Sequence, residues 1–159
     1  MSGPRNLDPR IVTVWRLQAA VLPLLGTVAV LVLELAVGDG SGGPPWPPGV
    51  GAVAVALVGG LASVTLPALA YRRWRYQTAA TTLELRHGVV VRTESSIPYW
   101  RVQHVDLTAG PLDRLFGLSR LVLHTASATT DATIPGVASE RADELRTLIL
   151  DRAGTNDGV

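Results

Sequence analysis

Two long apolar runs, separated by a segment dense in glycine and proline, constrain this chain more than any other feature. Ala19–Val37 is interrupted by a single charge, Glu34, and Val50–Ala70 carries none. As a helix, Ala19–Val37 would span about 28 Å at the usual rise, close to a hydrocarbon core of roughly 30 Å. Glu34 falls in the last turn, where it can reach the interface. Pro23 falls in the first turns, where membrane helices tolerate it. Gly38–Gly49, GDGSGGPPWPPG, cannot continue a helix and reads as a turn-rich loop. The expectation is a two-helix transmembrane hairpin over residues 11–76, with spans at 19–37 and 50–70. Ala52, Ala56 and Gly60 recur at four-residue spacing beside Gly59 and Ser63, a small-residue stripe suited to close packing on the first span. Residues 1–10, polar with Pro4 and Pro9, read as a mobile tail.

The flanks of these runs suggest an orientation. Trp15 and Arg16 precede the first span, Trp46 lies in the loop, and Tyr71, Arg72, Arg73, Trp74 and Arg75 close the second span. Aromatic and arginine side chains of this kind anchor helices at the headgroup level. Arg5, Arg10 and Arg16 flank the other outer end, whereas the loop has no basic residue. The positive-inside rule then places both termini in the cytoplasm of a multi-pass protein of the cell membrane. A cleaved signal peptide fits Arg5, Arg10 and the first apolar run loosely. The second span and the lack of a small-x-small site after Val37 argue against it.

Composition narrows the function classes. All 14 basic residues are Arg, and Cys is absent, which excludes disulfides and thiolate metal sites. Residues 1–76 carry six Arg against Asp8, Glu34 and Asp39, a net of +3. Residues 77–159 carry eight Arg against ten acids, a net of −2. The second half has no basic patch of the kind that nucleic-acid binding requires.

From Gln77 the apolar period changes from helical to two. Thr82–Arg86 and Val89–Glu94 read as strands of a hairpin turning at Arg86-His87-Gly88. Arg101–Leu107 and Leu118–Thr125 read as two more, and Ala132–Pro135 as a short one, with Gly136 opening a turn. Alternation puts Leu121 and Leu123 on one face of their strand, and Leu118, Arg120, Val122 and His124 on the other. Ser139 can cap a last helix whose stripe, Ala142, Leu145, Leu148 and Ile149, should be buried on the sheet. Residues 77–152 thus read as a small α+β module, and 153–159 as a polar tail.

The series Ile97-Pro98, Arg101-Val102-Gln103, Gly110-Pro111-Leu112, Arg114-Leu115-Phe116-Gly117-Leu118 and Thr125-Ala126 resembles the bacterial pleckstrin-homology-like (PH-like) domain of the YdbS-like membrane proteins. The resemblance extends from about Thr82 to about Leu150. It implies a bent sheet or split barrel with a C-terminal capping helix, behind the membrane hairpin. It implies no reaction. Proteins of this family often accompany a longer membrane protein with repeated PH-like domains, which implies a partner of that kind or self-association, beside the lipid bilayer. Phosphoinositide recognition does not carry over, because the turn at Arg86-His87-Gly88 is short and the domain is net acidic.

The expected function is an interaction or assembly module held at the inner leaflet. Leu112, Leu115 and Phe116 lie within five residues of a short connector, so at least one should be exposed for contact. Arg101 and Gln103 match the family's Arg-x-Gln and are assigned to ordering that connector, as are Gly117 and a local Asp113–Arg114 pair. If Arg101 is buried, Asp106 or Asp113 is its expected counter-ion. His104, Asp106 and His124 can meet if their strands are neighbours. They are read as polar residues on a wet sheet face, with no metal, cofactor or catalytic residue assigned. A subunit of a membrane transport complex is the alternative function, and a membrane-bound metal-dependent enzyme a further one.

Overall fold

The computed structural model describes residues 5–37, 46–126 and 131–154. The sequence expectations for residues 1–4, 38–45, 127–130 and 155–159 lie outside the described residues. The chain divides into two compact units, Trp15–Ala68 and a second unit formed by Met1–Val14 with Leu69–Val159. The division falls inside both long helices, α1 (Arg10–Val37) and α2 (Val50–Arg73).

In the first unit both helices are long and apolar enough to cross a membrane, with mean hydropathies of 2.4 and 2.1 over their most apolar windows. Leu22, Leu24, Leu25, Leu57, Val58 and Leu61 face outward. Such a surface suits lipid and is unfavourable in water. The contact face of α2 is not the expected Ala52/Ala56/Gly60 stripe. Ala52, Ser63 and Pro67 are buried, whereas Ala56 and Gly60 are exposed. Each four-residue step overshoots a 3.6-residue turn by about 40°, so such a stripe drifts off the contact. Gly59 lies on the contact, where a Cβ would run into the Pro23 ring. Ser63 Oγ donates to the Gly59 and Ala19 carbonyls at 2.7 and 3.0 Å; it has one hydrogen, so the two share it.

Glu34 turns inward rather than toward an interface. Its carboxylate accepts from the amides of Gly49 and Gly51, both at 2.9 Å, and from Trp46 Nε1 at 3.2 Å. The first-turn amides of a helix have no intrahelical acceptor, so α1 supplies the N-terminal cap of α2.

Among the described residues, the second unit contains two three-stranded antiparallel sheets. The first has the order β1 (Arg75–Thr78), β2 (Thr82–His87), β3 (Thr93–Pro98). A 3-10 turn, Tyr99–Arg101, leads to the second sheet, β4 (Val102–Thr108), β5 (Leu118–Thr125), β6 (Ala132–Ala138). Between β4 and β5 lies the short helix α3 (Pro111–Leu115). The last helix, α4 (Ser139–Gly154), packs on β4, β5, β6 and the 3-10 turn. Leu83, Leu85, Ile97, Val105, Leu121, Leu123 and Ile134 form the center of the core.

Several expectations change here. Val89–Val91 is the connection between β2 and β3, not a strand, and Val90 is 94% exposed. β6 continues through Gly136, which sits at φ +61 beside a register shift instead of opening a turn. Leu118 is buried with Leu121 and Leu123, because the irregularity between Ser119 and Leu121 resets the alternation. Along α4, Ala142, Leu145 and Ile149 are buried, but Leu148 is 36% exposed.

Residues 5–9 do not behave as a tail. Arg5 exchanges two backbone hydrogen bonds with Tyr76, at 2.8 and 3.0 Å, and the Asp8 amide donates to Gly136 at 2.9 Å. Leu7, Ile11 and Val14 are buried. The segment covers an otherwise open edge of β1, and its apolar side chains complete the core.

Candidate functional site

Two places in the second unit concentrate exposed chemistry, and both depend on how β4 and β5 are joined. The connector opens with Gly110, whose amide donates to Asp113 Oδ2 at 3.1 Å. Asp113 is buried and also faces Arg120, with a guanidinium nitrogen 3.7 Å from Oδ2. Arg114 Nε donates to the Ala109 carbonyl at 3.1 Å. The expected Asp113–Arg114 pair is therefore replaced by two separate braces, since adjacent side chains on a helix diverge by about 100°. Gly117 closes the turn at φ +66, and its carbonyl accepts from the Ser139 amide at 3.1 Å.

On this braced turn Leu115 is 76% exposed, while Leu112 and Phe116 are half-buried. Arg101 and Gln103 do not take the connector-shaping role expected of them. Both are exposed, and the Arg101 guanidinium lies 4.9 Å from the Trp100 ring centroid. Arg101 belongs to the 3-10 turn, and Gln103 is the extra residue where the register shifts between Val102 and His104.

That shift builds the second place. Strict alternation would put Val102 and Val105 on opposite faces. The extra residue lets both point into the core and turns His104 and Asp106 outward. His104 is paired directly with His124, and their rings stack at 4.6 Å between centroids. His124 Nε2 lies 3.4 Å from Asp106 Oδ2, and Nδ1 lies 3.0 Å from Asp131 Oδ2. The other oxygen of Asp131 accepts from the Thr125 amide at 2.9 Å. That amide, followed by the facing His124, holds the Asp131 carboxyl below its ordinary value of 3.8.

The expected membrane anchors take different partners. Arg16 Nε donates to the Val64 carbonyl at 3.3 Å, Trp15 is half-buried, and Arg72 is exposed. Trp46 is spent on Glu34, and Tyr71 donates to the Leu7 carbonyl at 3.2 Å. Arg73 donates to Val89 O at 2.6 Å. Trp74 is not an interface anchor: it is buried and stacks on His87 at 5.7 Å. Arg75 opens β1 and donates to the Trp74 carbonyl at 2.8 Å. The switch to alternating burial already at Trp74 was readable in Trp74, Tyr76 and Thr78, which share one strand face.

Sequence reasoning also missed Tyr99 and Arg152. Arg152 donates to the Ala79 carbonyl at 2.6 Å and to the Tyr99 hydroxyl at 3.2 Å, which ties the end of α4 to the β1–β2 turn. Burial pushes the Tyr99 hydroxyl above its ordinary value of 10.0, against the opposing pull of Arg152.

The family model described as "Bacterial PH domain" matches residues 20–153. The UPF0699 transmembrane protein YdbS of Bacillus subtilis (strain 168) is 33% identical over 161 residues, covering 97% of this chain and 96% of that protein. Among solved structures, a DUF1696 family protein with a pleckstrin-homology domain from Shewanella loihica PV-4 aligns with a TM-score of 0.42 at 14% identity. That alignment covers 52% of this chain and 73% of the other.

Proposed function

This chain belongs to the Bacterial PH domain family and is a membrane protein with a PH-like domain, and from that premise we propose that the domain is a protein-interaction or assembly module at the inner leaflet. Both helices cross the membrane in this reading, with both termini and residues 77–159 cytoplasmic, because Arg flanks the outer ends and is missing from the loop. The partner is another membrane protein, such as one with repeated PH-like domains, or a second copy. No catalysis is assigned.

One observation carries the reading: Leu115 is 76% exposed on a turn held rigid by Asp113, Arg114 and Arg120. A large apolar side chain on a pre-ordered surface can bind without a further ordering cost, as an interface anchor does. The domain's net acidity favours a protein over an anionic bilayer as the target of this turn. Glu34 is committed to the amides of α2, which speaks against a transport pathway built on the one ionisable group of the spans.

A photo-crosslinking side chain at position 115 should capture a discrete product in native membranes. Leu115→Ser should weaken capture from a crosslinker at the neighbouring Leu112 without lowering the melting temperature. Undiminished capture would reject the turn as the interface. For orientation, a cysteine at Ser41 should label from outside intact cells and one at Ser127 should not; the reverse would reject it.

A second reading has its own observation. Val90 and Val91, 94% and 75% exposed, project between Arg86 and Arg92 from a loop tied to Arg73. Exposed apolar side chains flanked by Arg in the sequence suit the headgroup boundary. An environment-sensitive dye on Val90→Cys should report an apolar surrounding in nanodiscs. Water-like emission would remove lipid contact at this loop.

A further inference from the structure

The outward face of β4 and β5 carries a constellation that the interaction reading leaves unused. We propose that His104, Asp106 and His124 form a binding site for one divalent late transition-metal ion of the Zn2+ class, with Asp131 as the group that orients His124.

A carboxylate only accepts, so the 3.0 Å contact between Asp131 Oδ2 and His124 Nδ1 places a hydrogen on Nδ1. In the neutral ring this leaves the Nε2 lone pair free, and Nε2 is the atom that lies 3.4 Å from Asp106 Oδ2. A lone pair facing a carboxylate oxygen at that distance is stabilised by a positive charge between them. A proton on Nε2 can serve, and so can a metal ion. The geometry suits the metal. Ligand atoms about 2.1 Å from a tetrahedral ion are about 3.4 Å apart, which is the separation seen.

His104 supplies the third ligand. Its donor atom, that of His124 and that of Asp106 all lie within 4.8 Å of one another. Closing the widest pair to tetrahedral spacing requires a shift of at most about 1.4 Å. His104 is exposed, so a ring rotation can provide it.

Asp131 is the independent pointer. Metal-binding imidazoles characteristically donate their other ring N–H to a carboxylate, which fixes the tautomer and raises the basicity of the ligand nitrogen. Asp131 does this for His124, and it is itself fixed by the Thr125 amide at 2.9 Å. Three segments thereby converge: β4, β5 and the residue that precedes β6. Two imidazoles and one carboxylate favour Zn2+, Ni2+ or Cu2+ over Mg2+ or Ca2+, which prefer all-oxygen shells. Three protein ligands leave a coordination position for water, as an open site does.

The test uses the full-length chain in detergent with its affinity tag removed, because a polyhistidine tag would mask the result. Titration with Zn2+ should give one saturable site per chain. Co2+ should give the visible absorption of low-coordinate cobalt bound by nitrogen. His104→Ala and His124→Ala should each weaken binding at least tenfold. Asp131→Asn should weaken it about 10–100-fold while keeping one site per chain, as expected of an orienting group. His87→Ala should leave it unchanged, since His87 stacks on Trp74. The cobalt spectrum is a readout that loss of structure alone does not imitate. Thermal unfolding of the metal-free variants checks that each remains folded; the substituted residues lie on the sheet's outer face, so it should change little. Absence of a saturable site, or binding that survives the His104→Ala/His124→Ala double substitution, would overturn the proposal.

Discussion

Gly136→Ala tests whether the N-terminal segment is an integral part of the PH-like unit. Gly136 has φ +61, where a Cβ costs about 1–2 kcal/mol. The new Cβ would also meet Ile11, at 2.6 Å from Cβ, 2.6 Å from Cγ1 and 3.0 Å from Cδ1. Overpacking of this kind costs about 1–3 kcal/mol. The substitution should therefore destabilise the unit by about 2–5 kcal/mol. Gly154→Ala serves as the control. Among the described residues nothing lies within 4 Å of its added Cβ, and it should cost nothing. Urea unfolding of the purified full-length protein, followed by tryptophan fluorescence, reads both; Trp74 is buried in this unit. Ile11→Ala removes two of the three crowding atoms but opens a cavity of its own. The double variant should then cost less than the sum of the single ones, with a coupling of about 1 kcal/mol or more. A cost for Gly136→Ala below about 0.5 kcal/mol, or strict additivity with Ile11→Ala, would refute the packing of α1's first turn on β6.

Further outcomes are expected from the same structure. Ile149→Ala should cost about 2–5 kcal/mol because Ile149 is fully buried, whereas Leu148→Ala should cost clearly less; equal costs by urea unfolding would contradict the observed face of α4. Tyr99 has a hydroxyl raised above 10.0, so its contribution to stability is complete below pH 10 and is lost as pH climbs toward the folded value. The phenolate absorbance of the wild type minus that of Tyr99→Phe should accordingly titrate above pH 10, and a midpoint below 10 would reject the burial. Gly59→Leu should disrupt the helix pair, because Pro23 occupies the space a side chain would need; Gly60→Leu, with open space around it, should be tolerated. Detergent-resistant folding measured by limited proteolysis between the helices distinguishes the two.

Periodicity and composition by themselves determined the two apolar helices, the change of period after the second one, and the final amphipathic helix. These patterns repeat over many residues, so a local irregularity does not hide them. The motif series from Ile97 to Ala126 likewise contained the family, because it depends on residue identity and not on which face a residue occupies. Tertiary structure decided the faces. One extra residue at Gln103 put Val102 on the same buried face as Val105, and the irregularity after Ser119 brought Leu118 inside. A strand has a period of two, so a single insertion inverts everything beyond it, and no local signal announces it. Tertiary structure also decided partners that lie far apart in the chain. Glu34 reads as a charge near a helix end until the amides of Gly49 and Gly51 arrive beside it. Leu7 reads as part of a mobile tail, and Ile11 and Val14 as the start of the membrane hairpin, until the β1 edge and Gly136 need covering. Asp131 sits in a small polar turn, and it acquires a role only when β5 folds back and brings His124 to it. Each of these residues gains its meaning from a contact, and contacts between distant segments are set by the packing of the whole core.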